Sequence, residues 1–164
     1  MRLRQVVVIG SSDASEYLEE SYEIGRYIAR NGWALITGGR GGVMEAASRG
    51  ATVEEGVVIG VIPDTAFSGA NRYCTIVIPT GIGFARNVIN ALSGDVIIAI
   101  GGKYGTLSEL AFARQYRKPI ICCTFAGGWG ETFYRHSSEE DPGYPLFQAG
   151  SVGDVCARLD TLLK

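Results

Sequence analysis

Three glycine-bearing turns stand where an anion site would need them: Gly10-Ser11-Ser12, Gly38-Gly39-Arg40-Gly41-Gly42 and Gly101-Gly102-Lys103-Tyr104-Gly105. Each follows an apolar run and precedes a helical pattern. Glycine admits positive φ and close backbone approach, so successive amides point at phosphate oxygens beside a helix amino terminus. The expected ligand is therefore an anion. A single glycine cluster is read equally well as a tight turn, but three on one sheet edge favour a site. Neither long cluster spells a Walker motif or a complete GxGxxG, and no acidic residue closes the second strand as NAD binding requires.

The side chains around these turns add the chemistry. Glu109 lies one turn into the helix after Gly105 and faces back across the glycine turn, where a carboxylate binds ribose hydroxyls; the helix dipole also favours an acid there. Thr106 joins Glu109 on the same hydroxylated group. Arg86 and Asn87 follow Thr80-Gly81-Ile82-Gly83 near the start of an apolar helix, and Arg86 offers phosphate a bidentate grip or serves as a solvated or interface arginine. Met44 opens the helix after the second glycine cluster and belongs to the same binding set. Tyr104 is the candidate for stacking a base, whereas Tyr17, Tyr22, Tyr27 and Trp33 read as packing residues.

These residues need a scaffold, and the chain spells one. Strands are expected over Gln5–Ile9, Trp33–Thr37, Val57–Ile62, Thr75–Ile78, Asp95–Ile100 and Pro119–Phe125. Helices are expected from an Asp13–Glu16 capping box to Asn31, from Val43 to before Gly56, over Ile82–Ser93, from Thr106 to Arg117, and over Ser151–Leu163 with Ser151 and Asp154 as a cap pair. Asp64–Arg72 has no period and reads as a loop that covers the site, and residues 126–150 give no pattern. Alternating strands and helices predict one α/β, Rossmann-like doubly wound domain over residues 1–164, with a mostly parallel sheet of six or seven strands. Its strand carboxyl ends should open into a ligand crevice where strand order reverses.

Composition narrows the function. A net charge of −2 gives no cationic surface for nucleic acid, and no apolar run approaches the roughly 20 residues that cross a bilayer, so a cytoplasmic protein is expected. The single histidine, His136, reads as a surface residue, and no metal centre or Ser-His-Asp triad is expected. Cys74, Cys122, Cys123 and Cys156 form no CxxC pair and read as buried reduced thiols.

The ordered pair GGRGGVMEAA (Gly38–Ala47) and GGKYGTLSE (Gly101–Glu109), with Ala85-Arg86-Asn87 between them, resembles the LOG-like superfamily, often labelled lysine decarboxylase-like or SLOG. The similarity spans nearly the whole chain up to Phe125. Its cytokinin-activating branch hydrolyses nucleoside 5'-monophosphates and carries PGGxGTxxE with an Arg-Lys pair in the preceding helix. Here Gly101, Gly102, Gly105, Thr106, Glu109 and Arg86 match, while Ile100 replaces the proline and Asn87 the lysine. The YGTLSE and ARN spellings look more like the branch that includes molybdenum cofactor carrier proteins. The resemblance implies an AMP-like or molybdopterin-like small-molecule phosphate ligand, no other required cofactor, and a homodimer or higher homo-oligomer through Val43–Glu55 and Ile82–Ser93. It leaves a phosphoribohydrolase, with Arg86 and Glu109 catalytic, as the alternative. An oligomeric scaffold without a ligand is the third reading. A decarboxylase using pyridoxal phosphate is not supported, because Lys103 and Lys118 are the only lysines before Lys164.

Overall fold

The apolar run Gln5–Gly10 forms β1, and Val6 to Ile9 are buried on both faces, as a central parallel strand requires. A computed structural model describes residues 1–164. Along the chain follow α1 (Leu18–Arg30), β2 (Ala34–Thr37), α2 (Gly42–Val53), β3 (Val58–Ile62), β4 (Ile76–Pro79), α3 (Arg86–Ser93) and β5 (Val96–Ile100). Then come α4 (Tyr104–Gln115), β6 (Ile120–Cys123), α5 (Gly128–Ser137), β7 (Leu146–Ala149) and α6 (Val152–Leu163). The strands make one parallel sheet in the order β4-β3-β2-β1-β5-β6-β7.

Because all seven strands are parallel, every strand-to-helix turn emerges on one edge. The direction of winding reverses between β1 and β5, and their register pairs Gly10 with Ile100. The two strands therefore end level, and the turns after Gly10 and Ile100 lie side by side. Side chains of β1 alternate between two cores: Val6 and Val8 face Ile24, Val43 and Leu159, whereas Val7 and Ile9 face Ala91, Leu110 and Phe133. The first of these cores brings α1 and α2 into very close contact. A Cβ at Gly25 would run into the Ala47 carbonyl oxygen, and one at Gly50 into that of Tyr22.

Several expectations need correction. The Asp13–Glu16 capping box does not form: α1 starts at Leu18 behind Tyr17, which has φ 58° and offers no side-chain cap. Asp13 is drawn instead to Lys103, 2.7 Å away across the sheet edge. Residues 126–150 are ordered into α5 and β7; the four-residue β7 is too short and too little buried to advertise itself in sequence. Strand β4 is an edge, so Ile76 and Ile78 are exposed although their run reads as core. The Asp64–Arg72 segment does not stand free. Asn71 N donates to Gly39 O at 2.7 Å and Arg40 Nη1 to Gly69 O at 2.9 Å, tying it to the second glycine turn.

Other expectations hold. Ser151 Oγ caps α6 by accepting from Asp154 N at 3.2 Å, and Tyr27 and Trp33 pack edge to face. His136 is exposed. All four cysteines are free, but only Cys122 and Cys123 are buried, since Cys74 and Cys156 sit half-buried at the periphery. Burial pushes the Cys122 thiol up to about 12. No helix is long and apolar enough to cross a membrane.

The α1–α2 contact makes a specific prediction. Gly25→Ala gains helix propensity but forces two backbones apart, and it should lower stability by about 1–3 kcal/mol with the native fold retained. Urea unfolding of the two proteins checks this; equal midpoints would mean that the helices do not approach as described.

Candidate functional site

The reversal between β1 and β5 opens a cavity of about 440 Å³ on the carboxyl edge. Gly10, Ser11 and Ser12 line it from the end of β1, Met44 from α2, Arg86 and Asn87 from α3, and Gly105, Thr106 and Glu109 from α4. Segments far apart in sequence thus converge at one place, Asp13 and Lys103 being 90 positions apart. The cavity is open rather than filled by side chains, and Met44, Pro63 and Phe84 are the only apolar side chains among its lining residues apart from glycine.

The two strongest candidates are buried within it. Arg86 is 8% exposed; its Nη1 donates to Val61 O at 2.8 Å, and its Nε is buried without a partner. Burial holds its pKa below the ordinary guanidinium value, against the pull of Glu109. Glu109 is 7% exposed and accepts a hydrogen bond from Asn90 Nδ2 at 2.9 Å. Burial pushes its carboxyl up to about 7, opposed by that bond and by Arg86. Near neutral pH the carboxyl is therefore shared between its protonated and ionised forms, and it can donate or accept a hydrogen bond.

Other residues act at one remove. Asn87 Nδ2 donates to Ser108 Oγ at 2.8 Å, and Ser108 Oγ donates to Gly105 O at 2.7 Å, so Asn87 fastens α3 to the third glycine turn while still lining the cavity. Gly38, Gly39, Gly42, Gly101 and Gly102 do not line the cavity but shape its support. A side chain at Gly38 would strike the Arg86 guanidinium and come within 2.7 Å of the Met44 sulfur. Gly102, at φ 99°, lies tight against Thr106, which a Cβ would displace. Tyr104 is placed apart from the others: it is 80% exposed on the outer side of α4 with its ring 6.4 Å from that of Trp129, outside this cavity.

Residues that sequence reasoning did not assign also line the wall: Asp13, Arg40, Pro63, Phe84 and Lys103. Arg40 pairs with Asp64 Oδ2 at 3.0 Å. Asn90 supports Glu109 from behind; its signal was a polar residue one helical turn after Arg86 on the same face of α3. Asp64 offsets Arg40 and Asp13 offsets Lys103, so the small positive balance of the cavity rests on Arg86 beside a partly protonated Glu109 and suits an anion.

A model of the SLOG cluster4 family matches residues 3–155. The chain belongs to that family. An uncharacterized protein of Archaeoglobus fulgidus is 41% identical over 121 residues, covering 73% of this chain and 80% of the relative. The structure of the molybdenum cofactor binding protein from Rippkaea orientalis is 36% identical with a TM-score of 0.85, covering 100% of this chain and 99% of the other. That of the molybdenum cofactor carrier protein from Chlamydomonas reinhardtii is 35% identical with a TM-score of 0.84, covering 99% of each chain. The resemblance read from the two glycine motifs is thereby borne out at the level of family and fold.

The position of Glu109 in this SLOG cluster4 chain sets a pH dependence. Its folded pKa of about 7 lies above the ordinary 4.5, so between these values the native state binds more protons than the unfolded chain. Its contribution to stability then falls as pH rises through that window and stays constant above it. Glu109→Gln removes the effect, so the variant should gain on wild type by on the order of 1–3 kcal/mol between about pH 5 and about pH 8. Urea unfolding at both pH values measures this; a constant difference would show an ordinary carboxylate.

Proposed function

We propose that the cavity holds a phosphate-bearing, molybdopterin-like cofactor, which the chain binds and releases without transforming it. The observation that carries this reading is the convergence of three glycine turns and Arg86 on one positively biased cavity. Its volume of about 440 Å³ is within the range of small-molecule sites. The cofactor fits the residues present. Arg86 spends only one hydrogen bond on the protein, to Val61 O, and keeps an unpartnered buried Nε; its remaining donors suit a phosphate. The amides of Ser11 and Ser12 and the Lys103 ammonium would hold that phosphate, with Thr106 and Glu109 on the polar edge of the pterin. When bound, the cofactor supplies redox-active molybdenum. The molybdenum cofactor binding protein at 36% identity and the molybdenum cofactor carrier protein at 35% support the choice of a pterin over an AMP-like ligand.

The same reading takes in a cytoplasmic homodimer or larger homo-oligomer through α2 and α3, where Val53 and Leu92 are exposed apolar residues. A scaffold without a ligand is disfavoured by the open cavity.

One observation favours a second reading. A carboxyl held near 7 beside an arginine is suited to assist departure of a base, as in a nucleoside monophosphate hydrolase. Asn87 argues against it, being engaged with Ser108 and replacing the lysine of the hydrolytic pattern.

Anaerobic titration with molybdenum cofactor should give a complex that survives gel filtration. Arg86→Ala should weaken it at least about tenfold, the effect of removing a charged phosphate grip. Incubation with AMP should release no adenine above background. Adenine release abolished by Glu109→Gln would establish the hydrolase instead, and failure to retain the cofactor would overturn the proposal.

A further inference from the structure

A second cavity of about 390 Å³ adjoins the first, and both are lined by Ser11, Asp13 and Lys103. The Asp13–Lys103 ion pair, 2.7 Å long, stands at this shared boundary. The second cavity has a different wall. Ala14, Tyr17, Val43, Ile100 and Ala126 give it an apolar side, and the backbone at Gly101 and Gly102 lines it too. It lies at the ends of β1 and β5, where strand order reverses. In doubly wound sheets that reversal is where a two-part ligand spans the crevice.

The boundary between the cavities is weak. The Lys103 and Asp13 side chains are 71% and 65% exposed, so water screens their attraction and either can turn away. A ligand spanning both cavities would pass Lys103 with its middle, and an anionic middle would take Lys103 from Asp13, whose carboxylate is free to move into solvent. The segments following β1 and β5 line the same cavity side by side.

We infer that the two cavities together accept a dinucleotide: two nucleoside-like halves joined by a pyrophosphate, with the pyrophosphate between Arg86 and Lys103, one half beside Thr106 and Glu109, and the second base against the apolar wall. This rests on the first cavity being the ligand site proposed above, and it extends that site to a larger class of ligand.

Calorimetric titration with AMP, ADP and diadenosine diphosphate tests it. Diadenosine diphosphate should bind at least about tenfold more tightly than ADP, because only it places a second base against apolar surface. Ser15→Trp should fill the second cavity from an exposed position and bring the diadenosine ligand down to the affinity of ADP, with the unfolding temperature unchanged. Equal affinity for the diadenosine ligand and ADP would overturn the inference, as would a preference that survives Ser15→Trp. Either result leaves the first cavity to be judged by its own titration with molybdenum cofactor, so the two failures are distinguishable.

Discussion

The register between β1 and β5 is the constraint on which the site depends. Five consecutive pairs, from Val6 with Val96 to Gly10 with Ile100, bring two strands to the same level at the point where winding reverses. A slip of one residue would turn every side chain of β1 to the wrong core and would also separate the two glycine turns. Burial of Val6, Val7, Val8 and Ile9 on both faces makes that slip costly, so apolar packing sets the position of polar backbone groups. The position of the cavity is thus a consequence of the core, since the turns after Gly10 and Ile100 are placed by the buried packing of the strands that precede them.

The second requirement is that a charged pair survive inside this edge. Arg86 and Glu109 come from different helices, and burial disfavours the charged form of each while each favours the charge of the other. Their supports are indirect. Gly38 leaves room for the guanidinium, Val61 O anchors it, and Asn90 holds the carboxyl from the rear. An arginine so placed is preorganised, and binding a phosphate costs little side-chain entropy. Such an arrangement is better explained by a ligand than by stability, because a buried and incompletely bonded guanidinium is a burden on folding.

Much of this was legible in the sequence, for physical reasons. Near-continuous apolar runs closed by glycine, proline or polar residues mark six of the strands, and parallel topology requires that their turns share an edge. Arg86, Thr106 and Glu109 stand out because their types suit anions and hydroxyls beside such turns, and all three line one cavity. What escaped notice was long-range. Asp13 reads as a helix cap but is taken by Lys103, ninety positions away. Asn90 reads as a helix residue until Glu109 is placed against it. Ile76 and Ile78 read as core because an edge strand and a central strand have the same local composition. Tyr104 lies inside a glycine motif yet points outward, since the helix already begins there.

Amide chemical shifts test the central claim most directly. Titrating isotopically labelled protein with molybdenum cofactor under anaerobic conditions, the account predicts that the amides of Ser11, Ser12, Gly105 and Thr106 and the Arg86 Nε–H move together along one saturable curve, with α5 and α6 undisturbed. Shifts confined to other surfaces, or an Arg86 Nε–H that stays still at saturation, would contradict it.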